Sequence, residues 1–389
     1  MKPLRPFAID PSMVRGAVEV EDTGQSLVPH RLPHWARRQI PDDFMVQTSA
    51  ESAGVRLAIR TAAQRLELDV RARRIAADTE TPFPPSVYEV TERGALVGSA
   101  GAVAGSRYVF TFERPVGEIV DGPHATVRFD GLGTGTEREL EVWLPYHDHV
   151  ELLGLRADAP VTTAPADPRP RWVHHGSSIS HGYRAETTMG TWPVVAALRA
   201  GVRLTNLAFS GNAMLDPFTA RTIRDTSADL ISLKAGINII SGDVMRLRAF
   251  RPAVDGFIDT IRDGHPDTPI VVASPIWCEP VEKSAGPTIQ DPDRDREWSI
   301  SAGSEADVDD GKLSLRVIRA ELAAIVERRR IDGDDRLHYL DGLSLYGGAD
   351  AAVLPLPDNL HPGPEVQRLI GERFADGVLA EFTDPPGPT

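Results

Sequence analysis

The stretch WVHHGSSISHGY, residues 172–183, decides how the second half of the chain is interpreted. It begins with a short apolar run and then passes into glycine and two adjacent serines, Ser177 and Ser178. A short apolar run bounded by turn residues is typical of a buried strand. The next segment, TWPVVAALRAG (191–201), is helix-like, so a strand, a turn and a helix follow one another as in an α/β fold.

The alternation of strands and helices continues to the end of the chain. Four more apolar runs predict strands, and helical patterns separate them: VRLTNLAFSG (202–211), ADLISLKAGIN (228–238), TPIVVASPIW (268–277) and LHYLDG (337–342). Five strands that alternate with helices predict a five-stranded parallel sheet between two helix layers, which is a three-layer α/β/α domain. In such a sheet, ligands bind at the carboxyl ends of the strands.

The first 157 residues have a different pattern. Apolar and polar residues alternate with period two in VRLAIRT (55–61), RLELDVRA (65–72), RYVFTFE (107–113), ATVRFDG (125–131) and RELEVWLP (138–145). These runs predict an all-β sandwich, of the jelly-roll or carbohydrate-binding-module type, over residues 1–157. Residues 158–171 contain four prolines and hardly any large apolar side chains, so we expect a stiff linker there. The α/β domain then occupies residues 172–389.

The bulk composition excludes several classes of function. The chain has 389 residues, a net charge of −14 and a single cysteine, Cys278. Nucleic acids and anionic membranes need a basic surface, so neither is expected as a partner. No segment approaches the roughly 18 apolar residues of a membrane span, and the N-terminal residues lack the apolar core of a secretory signal. A single cysteine cannot form an internal disulfide, and we expect a cytoplasmic protein.

Four turns carry residues that could act together in one reaction. They lie at strand ends that should meet at one edge of the sheet. Ser178, Gly211 and Asn238 follow the first three strands, and Asp358 and His361 precede the last helix. A serine needs a base to become a nucleophile, and histidine suits that role near neutral pH. A carboxylate orients the histidine, and N–H donors stabilise an oxyanion. These residue types predict acyl transfer through a serine nucleophile.

The order of these turns resembles the GDSL family of esterases and lipases, also called the SGNH hydrolase superfamily, over residues 172–389. By that resemblance, Ser178 is the nucleophile, in a turn that matches the family's Gly-Asp-Ser-Ile-Thr. His361 is the base and Asp358 is its orienting acid, in the family's Asp-x-x-His-Pro. Asp358 could instead have a structural role, as an acid at a helix N-terminus that the helix dipole stabilises.

The resemblance also implies an oxyanion hole. Its donors are the backbone N–H groups of Ser178 and Gly211 and the side chain of Asn238. Taken alone, Gly211 could simply permit a turn and Asn238 could be a structural loop residue. The sequence departs from the family pattern at Ser177, where the Gly-Asp-Ser motif has an aspartate. That aspartate is not the nucleophile, so the departure weakens the motif more than the mechanism.

Other side chains in the same stretch offer alternative interpretations. Ser177 and Ser180 are rival nucleophiles, although the position two residues after the glycine favours Ser178. His174, His175 and His181 suggest a metal site, but no partner ligands accompany them at zinc-like spacing, so no metal is predicted. No glycine-rich phosphate motif follows the first strand, and no cofactor is predicted.

The predicted substrate is a small-molecule ester or thioester, such as a sugar ester or an acyl-CoA. An esterase, with water as the acceptor, is the main and broader hypothesis. The two-domain layout is similar to that of sugar-ester deacetylases, and to a GDSL salicylyl acyltransferase of tetracycline biosynthesis. An acyl-CoA-dependent O-acyltransferase acting on a natural-product alcohol is therefore an alternative, and a non-catalytic carbohydrate-binding protein is another. The oligomeric state is left open.

One long acidic segment, from Cys278 to Gly311, separates the fourth strand from the next helix. Loops of this length are either functional lids or mobile insertions, and the sequence leaves both open. Cys278 has no catalytic context, so we expect a buried small residue.

Overall fold

The computed structural model describes residues 2–103, 105–111, 114–133, 135–294 and 297–383. The chain forms two compact units. Unit 1 comprises Met1–Arg169 together with Thr187–Met189, and unit 2 comprises Pro170–Glu186 together with Gly190–Thr389. Short 3₁₀ helices occur at Pro11–Met13, Thr188–Gly190 and Gly342–Ser344.

Unit 1 is built mainly from β-strands. The strands are β1 (Arg5–Phe7), β2 (Val14–Arg15), β3 (Glu19–Asp22), β4 (Leu27–His30), β5 (Arg56–Thr61), β6 (Leu66–Ala76), β7 (Ser86–Glu92), β8 (Ala95–Ala102), β9 (Ser106–Thr111), β10 (Arg114–Val120), β11 (Ala125–Phe129), β12 (Arg138–Trp143), β13 (His149–Ala157) and β14 (Val161–Thr163). All five runs with period-two alternation lie on strands of this set. Residues 112 and 113 of the predicted third run lie outside the described residues.

The strands of unit 1 form two sheets. An eight-stranded sheet has the order β10-β9-β6-β13-β4-β3, with β1 paired to β13 and β11 paired to β6. A six-stranded sheet has the order β14-β5-β12-β7-β8, with β2 paired to β5. Neighbouring strands are antiparallel except for β6 and β9, which pair in parallel.

Alternating side chains from both sheets share one hydrophobic core. Leu66, Leu68 and Val70 of β6 belong to the same buried cluster as Leu57 and Ile59 of β5. This alternation places the polar residues of each strand away from the core, as period-two patterning requires.

Unit 1 also contains two helices that its sequence did not predict, α1 (His34–Arg37) and α2 (Asp43–Ala50). Asp42 caps α2, because its side chain accepts a hydrogen bond of 2.8 Å from the backbone N–H of Met45. An all-β composition is therefore too simple a description of this unit.

The proline-rich segment 158–171 contributes to the unit 1 sheet, contrary to the expectation that it forms no core element. Val161–Thr163 forms β14, which pairs antiparallel with β5. Val161 is buried in the core cluster. Prolines flank this strand without interrupting it, so the segment can supply a short edge strand.

Unit 2 alternates strands and helices. Its strands are β15 (Arg171–Gly176), β16 (Arg203–Asn206), β17 (Leu230–Lys234), β18 (Ile270–Ala273), β19 (Thr288–Gln290), β20 (Ser299–Ser301) and β21 (Leu337–Leu340). Its helices are α3 (Ser178–His181), α4 (Trp192–Ala200), α5 (Pro217–Asp225), α6 (Ile237–Ser241), α7 (Leu247–Arg262), α8 (Glu279–Glu282), α9 (Ala306–Asp309), α10 (Leu315–Ile331), α11 (Gly348–Ala351), α12 (Pro364–Phe374), a π-helical turn (Ala375–Leu379) and α13 (Ala380–Thr383).

Five strands of unit 2 form one parallel sheet in the order β16-β15-β17-β18-β21. Every neighbouring pair in this sheet is parallel. The five-stranded parallel sheet predicted from the sequence is confirmed. All five carboxyl ends consequently lie at one edge, which is where parallel α/β sheets bind ligands.

Helices pack on both faces of this sheet. On one face, Trp172 of β15 stacks on Phe374 of α12, with ring centroids 5.2 Å apart. On the other face, His175 of the same strand stacks on Phe257 of α7 at 5.6 Å. Successive residues of a strand point to opposite faces, so β15 anchors both helix layers. No helix within the described ranges is long and apolar enough to cross a membrane.

The segment Cys278–Gly311 has secondary structure of its own. It contains α8, the antiparallel pair β19–β20, and α9. Cys278 itself is buried, as expected.

Candidate active site

The first strand of the parallel sheet ends in a tight turn that carries Ser178. Ser177 caps α3, because its Oγ accepts a hydrogen bond of 3.3 Å from the backbone N–H of Ile179. The turn requires glycine at position 176, where an added Cβ would lie 2.5 Å from Ser180 Oγ. Serine caps a helix about as well as aspartate, so Ser177 meets the capping requirement at the position where the family pattern has aspartate.

Two buried amide side chains hold the serine-bearing helix in place. Asn206, the last residue of β16, donates from Nδ2 to the carbonyl of Ser180 at 3.0 Å. Gln367 of α12 donates to the carbonyl of Ile179 at 3.4 Å and accepts from the Trp192 N–H at 2.9 Å. These contacts satisfy backbone groups at the end of a very short helix, which it cannot satisfy internally. The sequence analysis did not identify Asn206 or Gln367.

Ser178, His361 and Asp358 are brought together in one hydrogen-bonded chain. Ser178 Oγ lies 2.9 Å from His361 Nε2, and His361 Nδ1 lies 2.8 Å from Asp358 Oδ2. With the Nδ1 proton directed at the carboxylate, Nε2 can accept the serine proton. This geometry is suited to activation of a hydroxyl nucleophile.

The turn from Asp358 to His361 is closed by the carboxylate itself. Asp358 Oδ1 accepts hydrogen bonds from the backbone N–H groups of Leu360, at 3.0 Å, and His361, at 2.7 Å. Asn359 between them has φ 63°, a left-handed conformation that asparagine tolerates better than most residues. One oxygen of the carboxylate therefore accepts hydrogen bonds from the backbone, and the other accepts one from the imidazole.

Arg184 is a further partner of Asp358 that the sequence analysis missed. Its Nε lies 2.7 Å from Asp358 Oδ2, and its Nη2 contacts Glu297. Burial alone would raise the pKa of Asp358, but the hydrogen bonds and charge of His361 and Arg184 outweigh it and hold that pKa well below its usual value. Asp358 is consequently ionised at neutral pH.

The two other predicted residues follow β16 and β17, the strands on either side of β15, and their loops are linked to each other. Asn238 Oδ1 accepts a hydrogen bond of 3.0 Å from the backbone N–H of Ala213, two residues after Gly211. That bond orients the Asn238 amide and leaves its Nδ2 donors without a partner among the described residues. Gly211 has φ 72°, which favours glycine. The backbone N–H of Ser210 donates to His181 Nδ1 at 3.2 Å, which connects this loop to α3.

A second glycine positions Asn238. Gly236 has φ 134°, and an added Cβ would lie 2.8 Å from Pro275 Cγ and 2.9 Å from Ile318 Cγ2. Only glycine allows the chain to turn here from β17 into α6 so closely against its neighbours.

The two rival serines do not contact His361. Ser177 is fully buried and its hydroxyl caps α3. Ser180 is also fully buried, and its Oγ has no hydrogen-bond partner among the described residues. The structure places only Ser178, at 8% exposure, against the imidazole of His361.

The three histidines near Ser178 have separate partners, and that of His181 is the backbone N–H of Ser210. His174 Nδ1 contacts Ser232 Oγ at 2.7 Å, and His175 Nδ1 contacts the Leu207 carbonyl at 2.8 Å. Burial lowers the pKa of His175 to about 4 and that of His174 well below its usual value. Within the described ranges, no three His, Cys, Asp or Glu side chains are grouped as metal ligands.

Comparison with solved structures gives full-length matches. The chain is 27% identical to the salicylyl-acyltransferase SsfX3 from a tetracycline biosynthetic pathway, with a TM-score of 0.79 over 98% of this chain and 97% of that one. A protein described as a GDSL-like lipase from Bacteroides ovatus is 17% identical, with a TM-score of 0.66 over 98% and 97% of the two chains. A family two carbohydrate esterase from Cellvibrio japonicus is 14% identical, with a TM-score of 0.57 over 99% of both chains. No protein-family model and no curated protein sequence matches the chain.

The fold and the site define a serine-type enzyme of hydrolysis or acyl transfer, built on a parallel α/β sheet. Over its full length the chain is similar in fold to this salicylyl-acyltransferase and to the protein described as a GDSL-like lipase.

Proposed function

We propose that this protein is an esterase that acts through an acyl-serine intermediate on Ser178. One observation carries the proposal: Ser178 Oγ lies 2.9 Å from His361 Nε2, while the other nitrogen of that imidazole lies 2.8 Å from Asp358. A nucleophile, a base and an orienting acid in hydrogen-bond contact are the components of serine acyl transfer.

In the first half of the proposed reaction, Ser178 Oγ attacks the carbonyl carbon of the ester while His361 Nε2 takes the hydroxyl proton. The ionised Asp358 stabilises the resulting imidazolium. The N–H groups of Ser178 and Gly211 and the side-chain amide of Asn238 donate to the oxyanion. The intermediate then expels the alcohol, which takes its proton from His361.

In the second half, water attacks the acyl-serine and His361 takes a proton from it. The tetrahedral intermediate collapses, the carboxylic acid leaves, and Ser178 regains its proton from His361. The reaction therefore consumes one ester and one water and needs neither a metal nor a cofactor in any step.

The test is labelling with a fluorophosphonate, followed by intact-mass measurement. We expect one adduct on the wild type and none on Ser178→Ala. Ser180→Ala is the matched control, since it removes a neighbouring hydroxyl that does not contact His361, and it should label like the wild type. Absence of an adduct on folded wild-type protein would refute the activated serine and favour the carbohydrate-binding alternative.

A second candidate is an acyl-CoA-dependent O-acyltransferase. The full-length likeness to a salicylyl-acyltransferase, at 27% identity and a TM-score of 0.79, supports it. Such an enzyme would pass the acyl group from Ser178 to an alcohol instead of water. In a transferase, acyl-CoA should acylate the protein, and the acyl group should be released as free acid only slowly until an alcohol is added. Rapid steady-state release of acid without any alcohol would identify the esterase.

We further propose that the two sheets of unit 1 form an accessory sandwich, of the jelly-roll or carbohydrate-binding-module type. The hydrophobic cluster shared by β5 and β6 supports this arrangement. The boundary between the accessory and catalytic domains would fall within residues 158–171 of the sequence. The proposed compartment is the cytoplasm, and the proposed substrates are small sugar esters or thioesters.

A further inference from the structure

A cavity of about 860 Å³ in unit 2 lies beside the catalytic turn, and the proposed mechanism does not use it. Its lining includes Trp277, Trp298, several charged residues and Asn359. The volume is within the range of about 300–1,000 Å³ that is typical of small-molecule sites. Most of its wall comes from the segment Cys278–Gly311, which the sequence left as either a lid or an insertion.

Hydrogen bonds attach this wall to the catalytic turn. The backbone N–H of Ser299 donates to the carbonyl of Asp358 at 2.8 Å, and Asn359 Nδ2 donates to the carbonyl of Ser299 at 2.9 Å. Cys278 Sγ lies 3.5 Å from the carbonyl of Asn359. The cavity therefore begins one residue from the acid that orients His361, and its walls are fixed relative to that acid.

Both tryptophans are held in defined positions. The backbone N–H of Trp277 donates to Tyr346 at 3.0 Å, and the indole ring lies against Gly348, where an added Cβ would be 3.6 Å away. The backbone N–H of Trp298 donates to the side chain of Gln290 at 2.9 Å. The guanidinium of Arg294 lies 4.2 Å from the Trp298 ring centroid. Indoles fixed in this way present aromatic surface with little loss of conformational entropy on binding.

The charges of the lining argue against a phosphate-rich ligand. Three carboxylates, Glu279, Glu282 and Glu305, face two cations, Lys283 and Arg294. Phosphates require an excess of cationic donors, which this cavity lacks. Carboxylates accept hydrogen bonds from hydroxyl groups, and indole rings stack on flat apolar ring faces.

We propose that this cavity binds the alcohol half of the substrate, and that this alcohol is an uncharged ring bearing hydroxyl groups. The inference rests on the proposed function for its link to catalysis. The same group is the leaving alcohol of an esterase and the acceptor alcohol of a transferase, because the two reactions share one acyl-serine. The ring stacks on Trp277 and Trp298 while its hydroxyls donate to the glutamates.

The kinetic test compares ring esters with an ester that has no ring. Methyl glucoside monoacetate represents a sugar, 2-naphthyl acetate represents a fused carbocycle, and ethyl acetate is the reference. We expect Trp277→Ala and Trp298→Ala each to lower kcat/KM about tenfold for a ring ester, mainly through KM, with less than about a twofold change for ethyl acetate. Trp298→Phe should restore part of the loss. Trp35 is a half-buried tryptophan of unit 1, and Trp35→Ala is the matched control. It should leave kcat/KM unchanged for the ring esters and for ethyl acetate.

A binding experiment separates this inference from the proposed chemistry. Calorimetry with methyl glucoside and 2-naphthol on Ser178→Ala should detect binding of at least one ring, and Ser178→Ala/Trp277→Ala should lose it. Ring binding without fluorophosphonate labelling of the wild type would refute the esterase and leave the cavity assignment standing. The cavity assignment would be overturned if no ring bound. It would also be overturned if both tryptophan variants lost turnover of ethyl acetate and of the ring esters equally. Competition by coenzyme A for the bound ring would also overturn it.

Discussion

Arg184 and His361 bind the same oxygen of Asp358. The guanidinium Nε lies 2.7 Å and the imidazole Nδ1 lies 2.8 Å from Oδ2, while the other oxygen accepts two backbone N–H groups. Four donors restrict the rotamer of this carboxylate and favour its ionised form. Arg184 is therefore expected to act on the reaction indirectly, by fixing the acid that orients the base.

Replacement of Arg184 by alanine should destabilise the protein by about 1 kcal/mol at neutral pH, because a buried carboxylate loses a charged hydrogen-bond donor that is itself partly exposed. The folded-state pKa of Asp358 is depressed, so its stabilising contribution is complete above the unfolded-state pKa and is lost as the pH falls through the folded value. Without Arg184 the folded-state pKa should rise towards the unfolded-state value, so the contribution should be smaller and its loss should be complete at a higher pH.

Urea unfolding of the wild type and Arg184→Ala from about pH 8 down to about pH 1.5 measures this effect, because the range must extend below the unfolded-state pKa of Asp358. The difference in free energy of unfolding should be largest at neutral pH and should narrow in acid, where the protonated carboxyl no longer pairs with the cation. Glu297→Gln removes the other, exposed partner of Arg184 and should alter stability by less than about 0.5 kcal/mol. A difference that is independent of pH would contradict the electrostatic role.

Substitution of Asp358 by asparagine should lower kcat by about 10²–10⁴-fold, because an amide can no longer hold the Nδ1 proton and stabilise the imidazolium. Steady-state hydrolysis of ethyl acetate and the rate of fluorophosphonate labelling should fall together. Asp376→Asn is the matched control: Asp376 pairs with Arg199 at the surface, 2.6 Å away, and its loss should leave both rates unchanged. Wild-type labelling by Asp358→Asn would contradict the assignment of the acid.

Asn238→Asp removes the donor role of the Asn238 amide and also places a carboxylate where the oxyanion forms. The carboxylate keeps an oxygen for the Ala213 N–H but lacks the NH₂ group, so the loop should stay in place while the oxyanion loses one donor. We expect kcat to fall by about 10²–10³-fold with KM nearly constant. Asn238→Ala removes both functions and should also lower thermal stability. Unchanged kcat in Asn238→Asp would show that the amide does not bind the oxyanion.

Lys234, buried at the end of β17, should reduce stability at neutral pH. Burial lowers its pKa to about 8, so between about pH 8 and pH 10.5 the unfolded chain binds more protons than the folded one. The free energy of unfolding should therefore rise with pH across that interval. Lys234→Met should be more stable than the wild type at pH 7 by about 1–3 kcal/mol and should lack this rise. Lys312→Met, which breaks an ion pair of 2.9 Å with Asp243, should not be stabilised.

Local patterns in the sequence were sufficient for much of unit 2. Val254, Phe257, Ile258 and Ile261 recur in the sequence at helical spacing, and all four are buried in α7. Helix and strand periodicities arise from the backbone itself, so they can be recognised without tertiary information. The same reasoning identified Ser178 and His361 as candidates, because turn residues after strands of a parallel sheet lie at one edge.

Contacts between distant segments could not be anticipated in this way. Arg184 lies 174 residues from Asp358 in sequence, and Gln367 lies 188 residues from Ile179. Neither residue stands in a pattern that distinguishes it from other polar residues on a loop or a helix. The strand β14 within the proline-rich segment was missed for a related reason, since its partner β5 lies about 100 residues earlier.

The sequence by itself determined the periodicities, and with them the parallel sheet and the edge at which its turns meet. It also determined the chemical types at those turns, because nucleophile, base, acid and amide are properties of single residues. Only the tertiary structure decided that His361 Nε2 faces Ser178 rather than Ser177 or Ser180, and that Arg184 shares the Asp358 carboxylate. Such choices depend on packing and on distances of 2.7–2.9 Å between segments far apart in the chain, and local patterns carry no information about them.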